Sequence, residues 1–150
     1  VARGEKEDRA GLAVAEQLRS HGVVVERTSV LPDEAPALRE EAQRMISSGV
    51  DLVVAVGGTG VGRRDVTVDA LSPLIDRELP GVMEAARAHG QKRTRFAMLS
   101  RGVAGLSGST LLVTVPGSTR GAVESCHVLF PPLLHVLEVL RERPHEQDDR

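Results

Sequence analysis

A glycine-rich loop followed by two arginines and an aspartate holds the residue types in this chain that are best suited to phosphate chemistry. The stretch 57–67 reads Gly-Gly-Thr-Gly-Val-Gly-Arg-Arg-Asp-Val-Thr. Glycines leave backbone N–H groups open to an anion, and arginines add positive charge beside them. A carboxylate at Asp65 can hold Mg²⁺ or orient an attacking group, although an aspartate here could also be a simple helix cap. The pattern as a whole predicts a phosphate-handling active site.

The complete stretch is more specific than a glycine loop alone. It resembles the GGTG-x-x-x-R-D-V-T signature of the molybdenum-cofactor biosynthesis (MoaB/Mog) family, whose members have the molybdopterin-binding fold. The matching positions are Gly57, Gly58, Thr59, Gly60, Arg64, Asp65, Val66 and Thr67. The resemblance implies that the chain binds molybdopterin and adenylylates it with Mg-ATP, releasing pyrophosphate. It also implies a homotrimer.

Further candidate residues follow from the resemblance. Asp33 matches the family's second acidic residue, and Glu84 matches the glutamate of a Pro-Gly-x-x-Glu run near the pocket. The resulting assignment has Asp65 and Asp33 as catalytic residues and Asp65 as the Mg²⁺ ligand. The residues assigned to ligand binding are Gly57, Gly58, Thr59, Gly60, Arg64, Glu84, Ser100, Arg101, Pro116, Gly117 and Ser118. For Asp33 and Ser118 the alternative is a helix cap, for Glu84 a solvated helix carboxylate, and for Arg64 a surface ion pair.

The elements that must position these residues follow an α/β rhythm. Valine-rich 52–56 is typical of a strand buried on both faces. Further strands are predicted at 23–30, 94–99 and 111–115, and helices at 8–20, 33–49, 66–79 and 82–87. Thr67 is predicted to cap the helix after the loop, and the long terminal helix is expected to be split at Pro131-Pro132. We expect a three-layer α/β/α sandwich around a mostly parallel sheet.

Two strand–glycine–helix junctions recur in the sequence. The first follows the strand ending at Val56, and the second is the Pro116-Gly117-Ser118-Thr119 turn after the strand 111–115. In an open α/β sheet such junctions meet at the carboxyl edge, where ligands bind. The two turns are therefore predicted to form one site.

The amino-acid composition argues against several other classes of protein. The 150 residues carry a net charge of −2 and only two aromatic side chains, both Phe, which argues against a nucleic-acid platform. The single Cys126 excludes an internal disulfide and a cysteine-based zinc site. No apolar run approaches the roughly 20 residues of a membrane span, and a cytoplasmic location is expected. One domain over 1–143 and a polar tail over 144–150 are predicted.

One departure from the family keeps alternatives open. Family members begin with a buried strand, whereas this sequence opens on the charged, loop-like stretch Val1–Arg9. A binding module that holds molybdopterin or a nucleotide without turnover is the main alternative. A nucleotide-binding domain of the competence-damage type, which shares the fold, is a third.

Overall fold

The computed structural model describes the backbone of residues 8–148 and the side chains of residues 8–142, so the predicted loop at 1–7 lies outside the described residues. The helices are α1 (Arg9–Ser20), α2 (Ala35–Ser47), α3 (Thr67–Leu71), α4 (Pro80–Gln91) and α5 (Thr119–Asp148). The strands are β1 (Leu52–Val56), β2 (Arg77–Glu78), β3 (Ala104–Ser107) and β4 (Thr110–Val115). Short 3-10 helices cover Ser72–Leu74 and Arg95–Leu99.

The four strands form one sheet in the order β1-β4-β3-β2. The valine-rich strand β1 runs parallel to β4 with Leu52 opposite Leu111 and Val56 opposite Val115. The pairs β3–β4 and β2–β3 are antiparallel. The predicted α/β class is confirmed, and among the described residues the sheet is mixed, with its parallel pair at the edge that carries the glycine loop.

Helices cover both faces of the sheet, because strand side chains alternate between its two sides. On one face, Leu111, Val113 and Val115 pack in a core cluster with residues of α1, α4 and α5. The opposite face is covered by α2 and α3, which contact each other and, through α2, the strand β1. All residues of β4 are buried, and Phe130 of α5 is fully enclosed. Burying such a side chain contributes about 1.5–3 kcal/mol, so β4 and α5 anchor the fold.

The predicted strand at 23–30 is wrong in the described structure. Val23 and Val25 pack against the core while Val24 is 81% exposed, so the inward–outward alternation of a strand is present at this end. A strand also needs a hydrogen-bonded neighbour, and within the described residues none pairs with this segment. The outer edge of β1 likewise has no neighbouring strand in the part of the chain that the structure describes. A cleft of about 1,940 Å³, which we call the β1 cleft, is lined by both β1 and residues 22–31.

The second misplaced strand is 94–99, which contains a 3-10 helix. The hydroxyl of Thr94 accepts a hydrogen bond from the Phe96 N–H and starts this turn. The strand lies later, at Ala104–Ser107, where small residues gave little β signal. Gly105 is required there, because a Cβ at this position would lie 2.5 Å from the Arg77 carbonyl oxygen of β2.

The split predicted at Pro131-Pro132 is also wrong, because α5 is continuous from Thr119 to Asp148. Each proline removes a backbone hydrogen bond. Buried Phe130 and Leu133 on either side hold the helix against the core, and we attribute the continuity to this packing.

By length and composition, Thr119–Glu142 of α5 is long and apolar enough to cross a membrane, contrary to the expectation from sequence. One side of this helix packs inside the protein. The helix contacts α1, α4 and β4, and Ala122, Cys126 and Phe130 are completely buried in the protein's own core.

Candidate functional site

The two glycine junctions meet at the carboxyl ends of the parallel strands, as predicted. The N–H of Gly57 donates to the carbonyl of Val115 at 2.9 Å, which extends the β1–β4 pairing into the turns. A Cβ on Gly117 would lie only 3.2 Å from the Cα of Gly57. The approach leaves little room for a side chain at Gly117, and with glycine at both positions backbone groups line this part of the site.

Gly58 has a φ of +68°, a left-handed conformation that favours glycine. Its carbonyl accepts a hydrogen bond of 3.2 Å from the N–H of Thr67. A Cβ at Gly58 would overlap the Thr67 hydroxyl. Thr67 is the first residue of α3 and is buried, so the prediction that it caps the helix is wrong: Val66 occupies the cap position, without a side-chain hydrogen bond.

Asp65 lies across the loop that it closes. Its Oδ2 accepts a hydrogen bond of 2.9 Å from the N–H of Gly62, and a Cβ on Gly60 would lie 2.8 Å from the same oxygen. The half-buried carboxylate is therefore held against the glycines by the loop's own backbone. Oδ1, the second carboxylate oxygen, makes no hydrogen bond with the described part of the chain and can accept one from a ligand or coordinate a cation.

Arg63 and Arg64 are both exposed at the tip of the same loop. Within residues 8–142 neither side chain forms a hydrogen bond or an ion pair. The surface ion pair considered for Arg64 is thus not formed in the described structure. Both guanidinium groups remain able to bind an anion at the loop.

Arg101 belongs to the segment after the second 3-10 helix and reaches back to the loop. Its backbone N–H donates to the carbonyl of Thr59 at 2.7 Å, and its Nε donates to the carbonyl of Gly60 at 2.8 Å. Its Nη2 donates to the carbonyl of Asp65 at 2.8 Å. The guanidinium thus joins the two ends of the loop between Gly60 and Asp65.

The same guanidinium forms a two-pronged ion pair with Asp69 of α3, with N–O distances of 3.2 and 3.1 Å. The hydrogen bonds from Arg101 lower the pKa of the Asp69 carboxyl below its usual value of 3.8. The pKa of Arg101 is raised, first by its hydrogen bond to Asp69. Both groups are therefore charged at neutral pH.

The second junction provides a helix start. The Ser118 hydroxyl accepts a hydrogen bond of 3.2 Å from the N–H of Gly121, which makes Ser118 the cap of α5. Ser118 is thus a helix cap, the alternative considered for it from the sequence. The residue is exposed and follows Gly117, which contacts the first junction. Ser118, Gly117, Gly57, Gly58 and the exposed Asp33 all line the β1 cleft.

Ser100 and Glu84 lie on the far side of Arg101. The Ser100 hydroxyl accepts a hydrogen bond of 3.1 Å from the N–H of Gly102, and the Ser100 carbonyl accepts from Arg87 of α4. Glu84 is exposed one turn before Arg87. Asp33 is exposed just before α2 and does not cap it, because the cap position is Glu34.

The structure thus brings most of the predicted residues into two neighbouring groups, and Glu84 and Ser100 belong to neither. One lines the β1 cleft, and the other surrounds Asp65 in the loop 59–65. Among the described residues there is no group of three His, Cys, Asp or Glu side chains that could hold a metal ion. Mg²⁺ typically binds one or two carboxylates together with substrate phosphates. The single carboxylate of Asp65 beside a phosphate cradle fits that mode.

Two residues of this site were missed from the sequence. Thr67 matched the signature but was taken only as a helix cap, and Asp69 was not considered. Asp69 lies in the first turn of α3, where an acidic side chain commonly complements the helix dipole and does not by itself indicate a site. Its partner Arg101 lies 32 residues away, and no local pattern indicates that contact.

The chain is similar to a known protein family and to several of its members. Residues 1–135 match the family model described as "Probable molybdopterin binding domain". The chain is 38% identical to a "Molybdenum cofactor biosynthesis bifunctional protein" of Chlorobaculum tepidum over 97% of its own length, but spans only 46% of that protein. It is 34% identical to a "Molybdopterin adenylyltransferase" of Pyrococcus furiosus, over 94% of this chain and 85% of the relative.

A solved structure resembles the fold closely. The crystal structure of the molybdopterin biosynthesis enzyme MoaB from Thermus thermophilus superposes with a TM-score of 0.86 at 40% identity. The match covers 92% of this chain and 87% of the other.

Proposed function

Because this chain belongs to the molybdopterin-binding domain family, we propose that it acts in molybdenum-cofactor biosynthesis as a molybdopterin adenylyltransferase. In the proposed reaction an oxygen of the terminal phosphate of molybdopterin attacks the α-phosphorus of ATP. The bond from that phosphorus to the oxygen bridging the α- and β-phosphates breaks, and pyrophosphate leaves. Adenylylated molybdopterin is the other product.

The observation that carries the proposal is the loop 57–65. It combines side-chain-free backbone at two touching junctions, two unpaired arginines and a fixed carboxylate. Transfer between phosphates needs positioning and charge neutralisation more than covalent chemistry from the protein. This loop supplies both with groups that are already in place.

Each residue has a definite task in this proposal. Backbone groups of Gly57, Gly58, Thr59 and Gly60 hold phosphate oxygens, and Arg64 stabilises the charge that develops on them. The N-terminus of α5, with Ser118 as its cap, offers further N–H groups to a phosphate or to the pterin side chain. Asp65 orients the attacking phosphate, assisted by Asp33 from the β1 cleft. Glu84 and Ser100 remain proposed ligand contacts on the α4 side.

Asp65 is also the residue proposed to hold Mg²⁺ together with the substrate phosphates. Bound Mg²⁺ would neutralise part of the triphosphate's negative charge. The fit rests on the carboxylate oxygen of Asp65 that is not hydrogen-bonded to Gly62, because Mg²⁺ is a hard cation that prefers oxygen ligands.

Mixing the protein with molybdopterin, Mg²⁺ and ATP labelled at its α-phosphate tests the reaction directly, with adenylylated pterin as the expected product. In the same assay Asp65→Asn should keep molybdopterin affinity but lose most of the transfer rate. Asp51→Asn is a matched control, because Asp51 lies at the opposite end of β1 and pairs with Arg141 at 2.9 Å. Wild-type turnover in Asp65→Asn would remove Asp65 from the mechanism.

A module that binds molybdopterin without turnover is the second candidate. The two candidates differ in the same assay. Tight molybdopterin binding by calorimetry, with no adenylylated product at saturating Mg-ATP, would establish the module.

We also propose a homotrimer in the cytoplasm, in keeping with the resemblance. Exposed apolar side chains at Phe96, Met98 and Leu99 form a surface suited to self-association. Light scattering at micromolar concentration should give three times the chain mass, and Phe96→Ser with Met98→Ser should reduce it.

A further inference from the structure

Arg101 stands outside the phosphate cradle, yet its side chain donates two hydrogen bonds to the loop, and Asp69 pairs with that side chain. The guanidinium of Arg101 donates to the carbonyls of Gly60 and Asp65, at 2.8 Å each. Those residues flank the loop tip that carries Arg63 and Arg64. A single planar group therefore closes the loop from outside.

Asp69 fixes the orientation of that group. Its two oxygens accept hydrogen bonds from Nη1 and Nη2 of Arg101, so the guanidinium cannot rotate without breaking the pair. The carbonyl of Asp69 is bonded in turn by Arg39 of α2 at 3.3 Å, and Arg39 also donates to the carbonyl of Ala70 at 3.0 Å. The first turn of α3 is thus tied to α2 on one side and to the loop on the other.

Because four of the five guanidinium N–H donors of Arg101 are used on carbonyls and on Asp69, this side chain is not arranged mainly to bind an anion in the cradle. We infer that Arg101 and Asp69 are positioning residues, which set the shape of the loop 60–65 and so the placement of Asp65 and Arg64 on the substrate phosphates. This replaces direct ligand binding as the role of Arg101, and it rests on the proposed function for the consequence on transfer.

The geometry explains why arginine is needed. A guanidinium reaches two carbonyls and a carboxylate in one plane, whereas a lysine ammonium is a point charge that cannot span them. Arg101→Lys retains the charge and loses the bridge. Asp69→Ala retains Arg101 and removes the carboxylate that orients its guanidinium. Alanine is well tolerated at this helix position.

Trypsin offers a readout that needs no substrate, since it cleaves after Arg63 and Arg64 within the loop. We expect Arg101→Lys and Asp69→Ala each to be cut there about tenfold faster than wild type. Cleavage after Arg19, at the end of α1, should be unchanged and serves as the internal reference. Arg141→Lys is the matched control, because it disturbs an arginine–aspartate pair of similar length far from the loop.

The second arm measures Mg-ATP and molybdopterin affinity and the transfer rate. A misplacement of about 1 Å can cost about 100-fold in rate, so kcat/KM for adenylyl transfer should fall by up to about 100-fold in both variants. Equal cleavage rates in wild type and variants would overturn the inference. Faster loop cleavage with unchanged ligand affinity and transfer would overturn it too, since the loop's shape would then not matter to the site.

The two proposals fail in different ways. If wild type binds molybdopterin but makes no adenylylated product, the proposed reaction is lost. Loop cleavage and ligand affinity would still decide whether Arg101 and Asp69 position the loop.

Discussion

Gly58→Ala is the sharpest test of the loop geometry. The left-handed φ of +68° at Gly58 costs an alanine about 1–2 kcal/mol. The new methyl group would also overlap the Thr67 hydroxyl. Because Thr67 is only 6% exposed, its side chain cannot swing away into solvent. Overpacking of this kind costs about 1–3 kcal/mol, so the variant should lose about 2–5 kcal/mol of unfolding free energy.

Gly22→Ala is the matched control. Gly22 has a similar φ of +81°, but an added Cβ would meet no atom within 4 Å. It should lose only the backbone contribution of about 1–2 kcal/mol. Urea unfolding of both variants at constant m-value measures the difference.

The Thr67 contact can be isolated with a second substitution. In a Thr67→Ala background the hydroxyl is gone, so adding Gly58→Ala should cost less than it does in wild type, with a coupling of about 0.5–3 kcal/mol. Equal losses for Gly58→Ala and Gly22→Ala, together with zero coupling, would refute the packing argument. The loop would then tolerate side chains, and its glycines would serve only as a turn.

Three further predictions follow from the core and its surface. Burial raises the pKa of the Cys126 thiol from 9.0 to about 11. The free energy of unfolding should therefore be unchanged below pH 9 and fall by up to about 3 kcal/mol as the pH rises towards 11. Urea unfolding at several pH values measures this loss, which Cys126→Ala should abolish. Leu112→Ala in β4, where Leu112 is 1% exposed, should lose about 2–5 kcal/mol by the same method without changing the loop's trypsin cleavage rate. Asp69→Ala should weaken the dependence of the unfolding free energy on pH in the acid range. The lowered pKa of the Asp69 carboxyl gives a stabilising contribution that is present above pH 3.8 and is lost as the pH falls below that value.

The parts of the fold that the sequence predicts well are those governed by local pattern. The strand 52–56 is a continuous apolar run, the strand ending at Val115 is rich in Leu and Val, and both lie where they were expected. The meeting of their glycine turns followed from the topology of parallel strands alone. The loop residues were predicted from their chemistry and their signature, and the structure places them around Asp65.

The parts that were missed depend on partners distant in the sequence. Residues 23–25 alternate like a strand but have no neighbour to pair with among the described residues. Gly105 lies in a strand because β2 passes close beside it, which a propensity argument cannot detect. Arg101 had the right chemistry for an anion, and only the fold shows that its N–H groups point to the loop's own carbonyls.

The one-sided pairing of β1 should divide its amides into two kinetic classes for hydrogen–deuterium exchange. The carbonyl of Asp51 and the N–H of Gly57 are bonded to β4. Strand alternation therefore directs the N–H groups of 53 and 55 towards β4, and those of Leu52, Val54 and Val56 into the β1 cleft. Exchange along this strand should alternate between slow and fast with a period of two residues. Within the described residues, the strand that leads into the glycine loop is thus hydrogen-bonded along one edge only, and its pairing with β4 keeps Gly57 close to Gly117.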